Sequence, residues 1–191
     1  MFQNITIQYK DGRIRNKYYT PITEVRFFQN DELPLHPYLI GILLGDGSLG
    51  ENGSIELSLG LNKEHIIDKI VLPDGFKISV QEVEKENKQN YFRVKISGKD
   101  SSGNTIHNII DSLGLLNTKS DTKFIPKSYL YSTLESRKAL LQGLLDTDGH
   151  FNKRERFEYS TVSHQLCKDI LELIRGLGLS AKYWVLEKKE G

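Results

Sequence analysis

One apolar run, Tyr38-Leu39-Ile40-Gly41-Ile42-Leu43-Leu44-Gly45-Asp46-Gly47, constrains this chain more than any other stretch. A membrane crossing needs about 20 apolar residues, so the run predicts a buried helix of two to three turns, with Pro37 suited to its first helical position. Glycine costs roughly 1 kcal/mol against alanine in a helix interior, so Gly41 and Gly45 need a reason. Four apart, they share a face, and a face without side chains lets another backbone come close. Asp46 falls at the negative pole of the helix dipole, which is unfavourable unless a cation neutralises it. The run therefore calls for a partner helix and a metal.

The partner comes about a hundred residues later. In Leu141-Gln142-Gly143-Leu144-Leu145-Asp146-Thr147-Asp148-Gly149, Gly143 and Thr147 stand where Gly41 and Gly45 stood, and Asp148 stands where Asp46 did. Two small-faced helices with terminal carboxylates predict a pseudo-twofold pair. Carboxylates brought together repel, and sharing a divalent cation removes that cost. Hard oxygen ligands favour Mg²⁺, Mn²⁺ or Ca²⁺, and Mg²⁺ with few protein ligands keeps waters that can attack phosphate. That chemistry suits in-line phosphodiester hydrolysis. Asp146 reads as a helix-end neighbour, because its counterpart is Leu44.

Along the chain, Ile5–Tyr9 and Arg13–Tyr19 alternate around the Lys10-Asp11-Gly12 turn as a hairpin. Val25, Phe27 and Phe28 fit a short strand, and Asn30–Pro34 a loop. Ser54–Leu59 alternates with Ile55, Leu57 and Leu59 on one face. Asn62 predicts the cap of a helix with Ile66, Ile67, Ile70 and Val71 inward. Strands Lys77–Val83 and Tyr91–Ser97 follow, joined by the polar turn Glu84–Asn90. Asn104 or Thr105 opens a helix that Gly114 stops. Phe157–Thr161 then echoes Ile55–Leu59, Ser163 opens a helix stopped at Gly178, and Lys182–Val185 matches Lys77–Val80 as a strand. The second copy is shorter, which predicts a fragment, a split product or a naturally shortened half, with an exposed sheet edge. Cys167 and His65 read as packing residues, and His150, next to Asp148-Gly149, as non-catalytic.

Composition adds bounds. With 191 residues, 38% hydrophobic and 27% charged, the chain can bury a real core. A net charge of +1 means that any nucleic-acid face must be a local one. The single Cys167 allows no internal disulfide, and the five histidines lack metal-ligand spacing. No signal or membrane span is read, so the expected location is the cytoplasm, on the nucleoid when DNA is bound.

The runs Leu39–Gly47 (LIGILLGDG) and Leu141–Gly149 (LQGLLDTDG) resemble the paired LAGLIDADG motifs of homing endonucleases. Lys123-x-Ile125-Pro126 before the second motif, and Ser160-Thr161-Val162-Ser163 leading to Leu177-Gly178-Leu179, look like the endonuclease domains carried inside inteins. The resemblance covers roughly residues 33 to 186. It implies an α+β monomer of two pseudo-twofold αββαββα units. Residues 33–115 would form the first, 116–136 a linker, and 137–191 an incomplete second, with 1–32 an extension or intein remnant. It further implies Mg²⁺ (or Mn²⁺) bound by Asp46 and Asp148 with the Gly45 and Thr147 carbonyls. Lys123 matches the family's catalytic lysine, where it would stabilise charge on the phosphate or assist the attacking water. A second such lysine falls beyond Gly191, so a complementary C-terminal chain or a host intein is an implied partner.

The strands agree with double-stranded DNA as substrate. With Ile78, Val80, Phe92, Val94 and Ile96 facing the core, alternation puts Lys77, Ser79, Gln81, Tyr91, Arg93 and Lys95 on the opposite face, able to meet phosphates and base edges. Arg154, Arg156, Lys182 and Trp184 would be their counterparts. The expected function is site-specific, Mg²⁺-dependent double-strand DNA cleavage. The alternative is a nuclease-inactive DNA-binding or RNA-maturase relative. Self-splicing is not expected with Met1 and Gly191 at the ends, and a two-carboxylate glycosidase gives no reason for paired small-faced helices.

Overall fold

The computed structural model describes residues 5–8, 14–17, 24–28, 32–50, 55–84, 89–153 and 156–186. The chain is α+β with antiparallel sheets, as expected. Strands β1 (Ile5–Gln8) and β2 (Ile14–Lys17) pair as the expected hairpin. The Lys10-Asp11-Gly12 turn lies outside the described residues, as do Tyr9, Arg13, Tyr19, Asn30, Asp31, Ser54, residues 85–88 of the polar turn, and Arg154.

Helix α1 (Pro37–Asp46) runs straight into β3 (Gly47–Ser48). Then come β4 (Ile55–Gly60), a 3-10 helix (Leu61–Lys69), β5 (Phe76–Val83), β6 (Tyr91–Gly98) and α2 (Ile106–Ser112). The sheet order is β3-β4-β6-β5. Short α3 (Lys127–Leu130) leads to α4 (Leu134–Asp148), a two-stranded ribbon of β7 (Gly149–Phe151) and β8 (Phe157–Tyr159), and α5 (His164–Gly176).

Local chemistry accounts for the boundaries. Thr105 and Asn108 form a reciprocal capping box on α2. The Ser163 hydroxyl accepts from the Leu166 N–H at the start of α5. Gly114 at φ +70° and Gly178 at φ +77° take the left-handed conformation that ends α2 and α5. Every residue of α1 from Pro37 to Leu44 is buried. The helix is central because the inner face of the sheet (Leu57, Val94, Ile96) lies in the same core as Leu140 and Leu144 of α4 and residues of α2 and α5.

Five local expectations change. Asn62 caps nothing: the chain leaves β4 at Gly60 and enters the 3-10 turn at once, so Asn62 lies inside the first turn rather than before it. Along that element only Ile66 is buried, while His65 and Val71 are exposed. Val25, Phe27 and Phe28 form no strand; the Arg26 N–H donates to the Gly176 carbonyl (3.0 Å) without a ladder on either side. Val80 is exposed although its side of the sheet faces inward, because β5 is an edge strand that overhangs the core. Lys182–Val185 forms no strand. In the first half β5 pairs with β6 alone, and the described residues contain no second β6 to receive the later copy.

Candidate active site

The glycines do what their spacing predicts. A methyl built on Gly41 would sit 2.9 Å from the Gly143 Cα and closer still to the Leu140 carbonyl oxygen. One on Gly143 would lie 3.0 Å from the Ile42 nitrogen and nearer to the Tyr38 oxygen. Backbone thus meets backbone across α1 and α4. One turn on, Gly45 faces Thr147, and a methyl there would come 2.6 Å from the Thr147 Cβ and 3.4 Å from Asp148 Oδ2. The two helices therefore deliver Asp46 and Asp148 to one place.

The strands leaving the helices repeat this geometry. Gly47 pairs with Leu57, and Gly149 pairs with Tyr159 in the same register. Where the first copy has a leucine, the second thus brings a phenol beside Asp148. The Tyr159 hydroxyl is buried and makes no well-formed hydrogen bond. Burial and the charges of Asp148 and Asp46 hold the phenol well above its usual range. The Asp148 carboxyl, on an exposed residue but partly desolvated by its neighbours, is likewise raised, by that desolvation first and by the nearby Asp46 charge second, with Lys63, Lys123 and Tyr159 opposing.

Two ammonium groups stand among these oxygens. Lys123 is 4% exposed, and its Nζ donates to the carbonyls of Leu43 (3.0 Å), Gly45 (3.0 Å) and Gly47 (2.9 Å). Three acceptors match the three N–H bonds of an ammonium, which caps the negative end of α1. Burial draws this lysine down to about 8, against the charges of Asp148 and Asp46. Its segment is fixed from α5: Ser163 Oγ donates to the Lys123 carbonyl (2.6 Å), and Asp169 Oδ2 accepts from the Ile125 N–H (2.9 Å).

Lys63 does not stand out in the sequence. Its Nζ donates to Asp46 Oδ2 (2.8 Å) and to the Thr147 carbonyl (2.6 Å), bridging the two helix ends. A signal was available, since a cation in the first turn of a helix is disfavoured and calls for an acidic partner. Tyr159 also had a signal, as a phenol replacing a leucine between the two copies. Asp146 stays a neighbour, accepting from Tyr38 Oη and Lys69 Nζ, each at 2.8 Å.

The donor set suits a hard divalent ion. Among the described residues no three Asp, Glu, His or Cys side chains converge, so an ion here would take two carboxylates, backbone oxygens and water. Lys63 already shows that Asp46 Oδ2 and the Thr147 oxygen together hold a cation.

On the sheet, cross-strand register puts Lys77, Ser79, Gln81, Tyr91, Arg93 and Lys95 on one face with Glu56 and Ser58. Arg93 lies 3.6 Å from Glu56 and donates to Tyr91 Oη (3.2 Å). Of the second-half counterparts, Arg156 is exposed just before β8, and Lys182 and Trp184 are exposed without strand partners. His150 is exposed on β7 opposite Glu158, on the other face from Tyr159.

The chain is thus an α+β fold in which two small-faced helices end at Asp46 and Asp148, beside a polar antiparallel sheet. Residues 135–191 match the family model described as a LAGLIDADG-like domain, which supports a LAGLIDADG homing endonuclease-type domain in that part of the chain. The replicative DNA helicase DnaB of Mycobacterium intracellulare is 35% identical over 78 residues, covering 41% of this chain and 13% of that protein. LAGLIDADG proteins bind DNA, and the family comprises nucleases and maturase-like relatives.

Proposed function

We propose that this chain is a site-specific endonuclease that hydrolyses both strands of a DNA target with Mg²⁺. The observation that carries the reading is the meeting of Asp46 and Asp148 at the end of the Gly41–Gly143 contact. Asp46 and Asp148, with the Gly45 and Thr147 carbonyls, would hold the metal, and Mn²⁺ would fit the same oxygens. A divalent ion bound there supplies a Lewis acid for the phosphate and a water of lowered pKa. Lys123, seated under α1, adds positive charge to the centre and fixes the Gly45–Gly47 turn. Tyr159 borders Asp148 with its buried hydroxyl.

The polar face of β5 and β6 is the natural seat for duplex DNA, with Lys77, Arg93 and Lys95 on phosphates and Ser79, Gln81 and Tyr91 near base edges. Arg156, Lys182 and Trp184 would extend that contact from the second half. A match taking in 13% of a replicative helicase favours an intein-type endonuclease carried by a host protein over a motor. The two-stranded β7–β8 ribbon favours a second reading, in which the chain binds DNA, or helps an RNA fold, without cutting.

Plasmid cleavage separates the two. With Mg²⁺ the wild type linearises a target-bearing plasmid and EDTA stops it, while Asp46→Asn and Asp148→Asn each lose cleavage but keep DNA binding in a gel-shift assay. Cleavage surviving either substitution would remove the mechanism, and binding without cleavage by the wild type would establish the second reading.

A further inference from the structure

We propose that Lys63 is the resident counter-cation of the carboxylate pair, holding the site assembled without metal and setting how tightly the pair takes up a divalent ion. The inference rests on the metal-site reading above. Lys63 Nζ bridges atoms from both motifs, Asp46 Oδ2 at 2.8 Å and the Thr147 carbonyl at 2.6 Å. These are oxygens that a divalent ion would use, so the ammonium and an entering dication compete for them, because the two cations repel at close range.

The pair is shielded: the Lys63 and Asp46 side chains are only 26% and 21% exposed, which separates it from surface ion pairs that contribute little. The backbone is also broken at this residue. Lys63 (φ −106°, ψ 16°) interrupts the 3-10 helix into two pieces, so its side chain springs from a kink rather than from a regular turn. Lys123 does not duplicate it, because its three contacts are all carbonyls on the α1 side. Lys63 alone of the two spans the Asp46 and Thr147 ends, so an ion that takes Asp46 Oδ2 and the Thr147 carbonyl displaces it from both.

The test titrates Mn²⁺ into the metal-free protein by calorimetry, with manganese EPR as a second readout. Lys63→Met and Lys63→Gln should bind Mn²⁺ about tenfold tighter than wild type, as expected when a site occupied most of the time by a competitor is freed. Without metal both variants should melt at lower temperature than wild type, and Mn²⁺ should raise their melting temperature more than it raises that of the wild type. Two variants guard against one failing to fold, which circular dichroism reports. If the wild type binds Mn²⁺ and the folded variants bind it equally or more weakly, the proposal is overturned and the metal site stands. If neither wild type nor variants bind, both the metal site and the proposal fall.

Discussion

His36 sets the start of the helix on which the site depends. Its Nδ1 accepts from the Tyr38 N–H (3.3 Å), and burial lowers the imidazole below its ordinary 6.5. A folded-state value below the unfolded one means that the stabilisation is present above 6.5 and is lost as pH falls through the folded value. Protonation removes the acceptor and puts positive charge at the positive end of α1. His36→Asn, which caps without titrating, should therefore lose less melting temperature than wild type between neutral and mildly acidic pH. Parallel curves would show that His36 contributes nothing to acid lability. The same scale shows why part of the site was hidden. Asp46 and Asp148 were legible because each closes a repeated motif. Lys63 and Tyr159 lie outside the motifs: Lys63 reaches Asp46 and the Thr147 carbonyl, and Tyr159 sits against Asp148, contacts that the folded chain makes and that the motifs alone do not spell out.

Among elements, the contact of α1 with α4 has the least tolerance. A methyl on Gly143 has no flexible side chain to push aside, only the Tyr38 oxygen and Ile42 nitrogen of the opposing backbone. Gly143→Ala should cost at least the 1–3 kcal/mol typical of overpacking, about 3–10 °C in melting temperature for a chain this size, and should lower metal affinity by spreading the carboxylates. Calorimetric melting checks it, and an unchanged transition would mean that the helices part without penalty. This packing was readable because small residues four apart leave a signature in the sequence itself. Lys182–Val185 misleads for the complementary reason. Its alternation matches Lys77–Val80, but a strand exists only by pairing, and β5 has β6 where the later segment has no such neighbour among the described residues.

For the whole molecule, a net charge of +1 leaves DNA attraction to the local face, where Lys77, Arg93 and Lys95 outnumber Glu56. Replacing Lys77 and Lys95 together by alanine should weaken DNA binding and reduce the slope of log affinity against log salt by about 2, close to one unit for each phosphate deprived of its lysine. Fluorescence anisotropy across a salt series measures this, and an unchanged slope would move the DNA elsewhere. The proposed cutting and reading parts are thus built from different materials. The end where the two aspartates meet is set by main-chain packing between two helices, whereas the proposed reading face consists of outward side chains on β5 and β6 that take no part in that packing. On the proposed reading, target preference could therefore drift, or be exchanged by design, residue by residue, while the distance between the two aspartates stays the same.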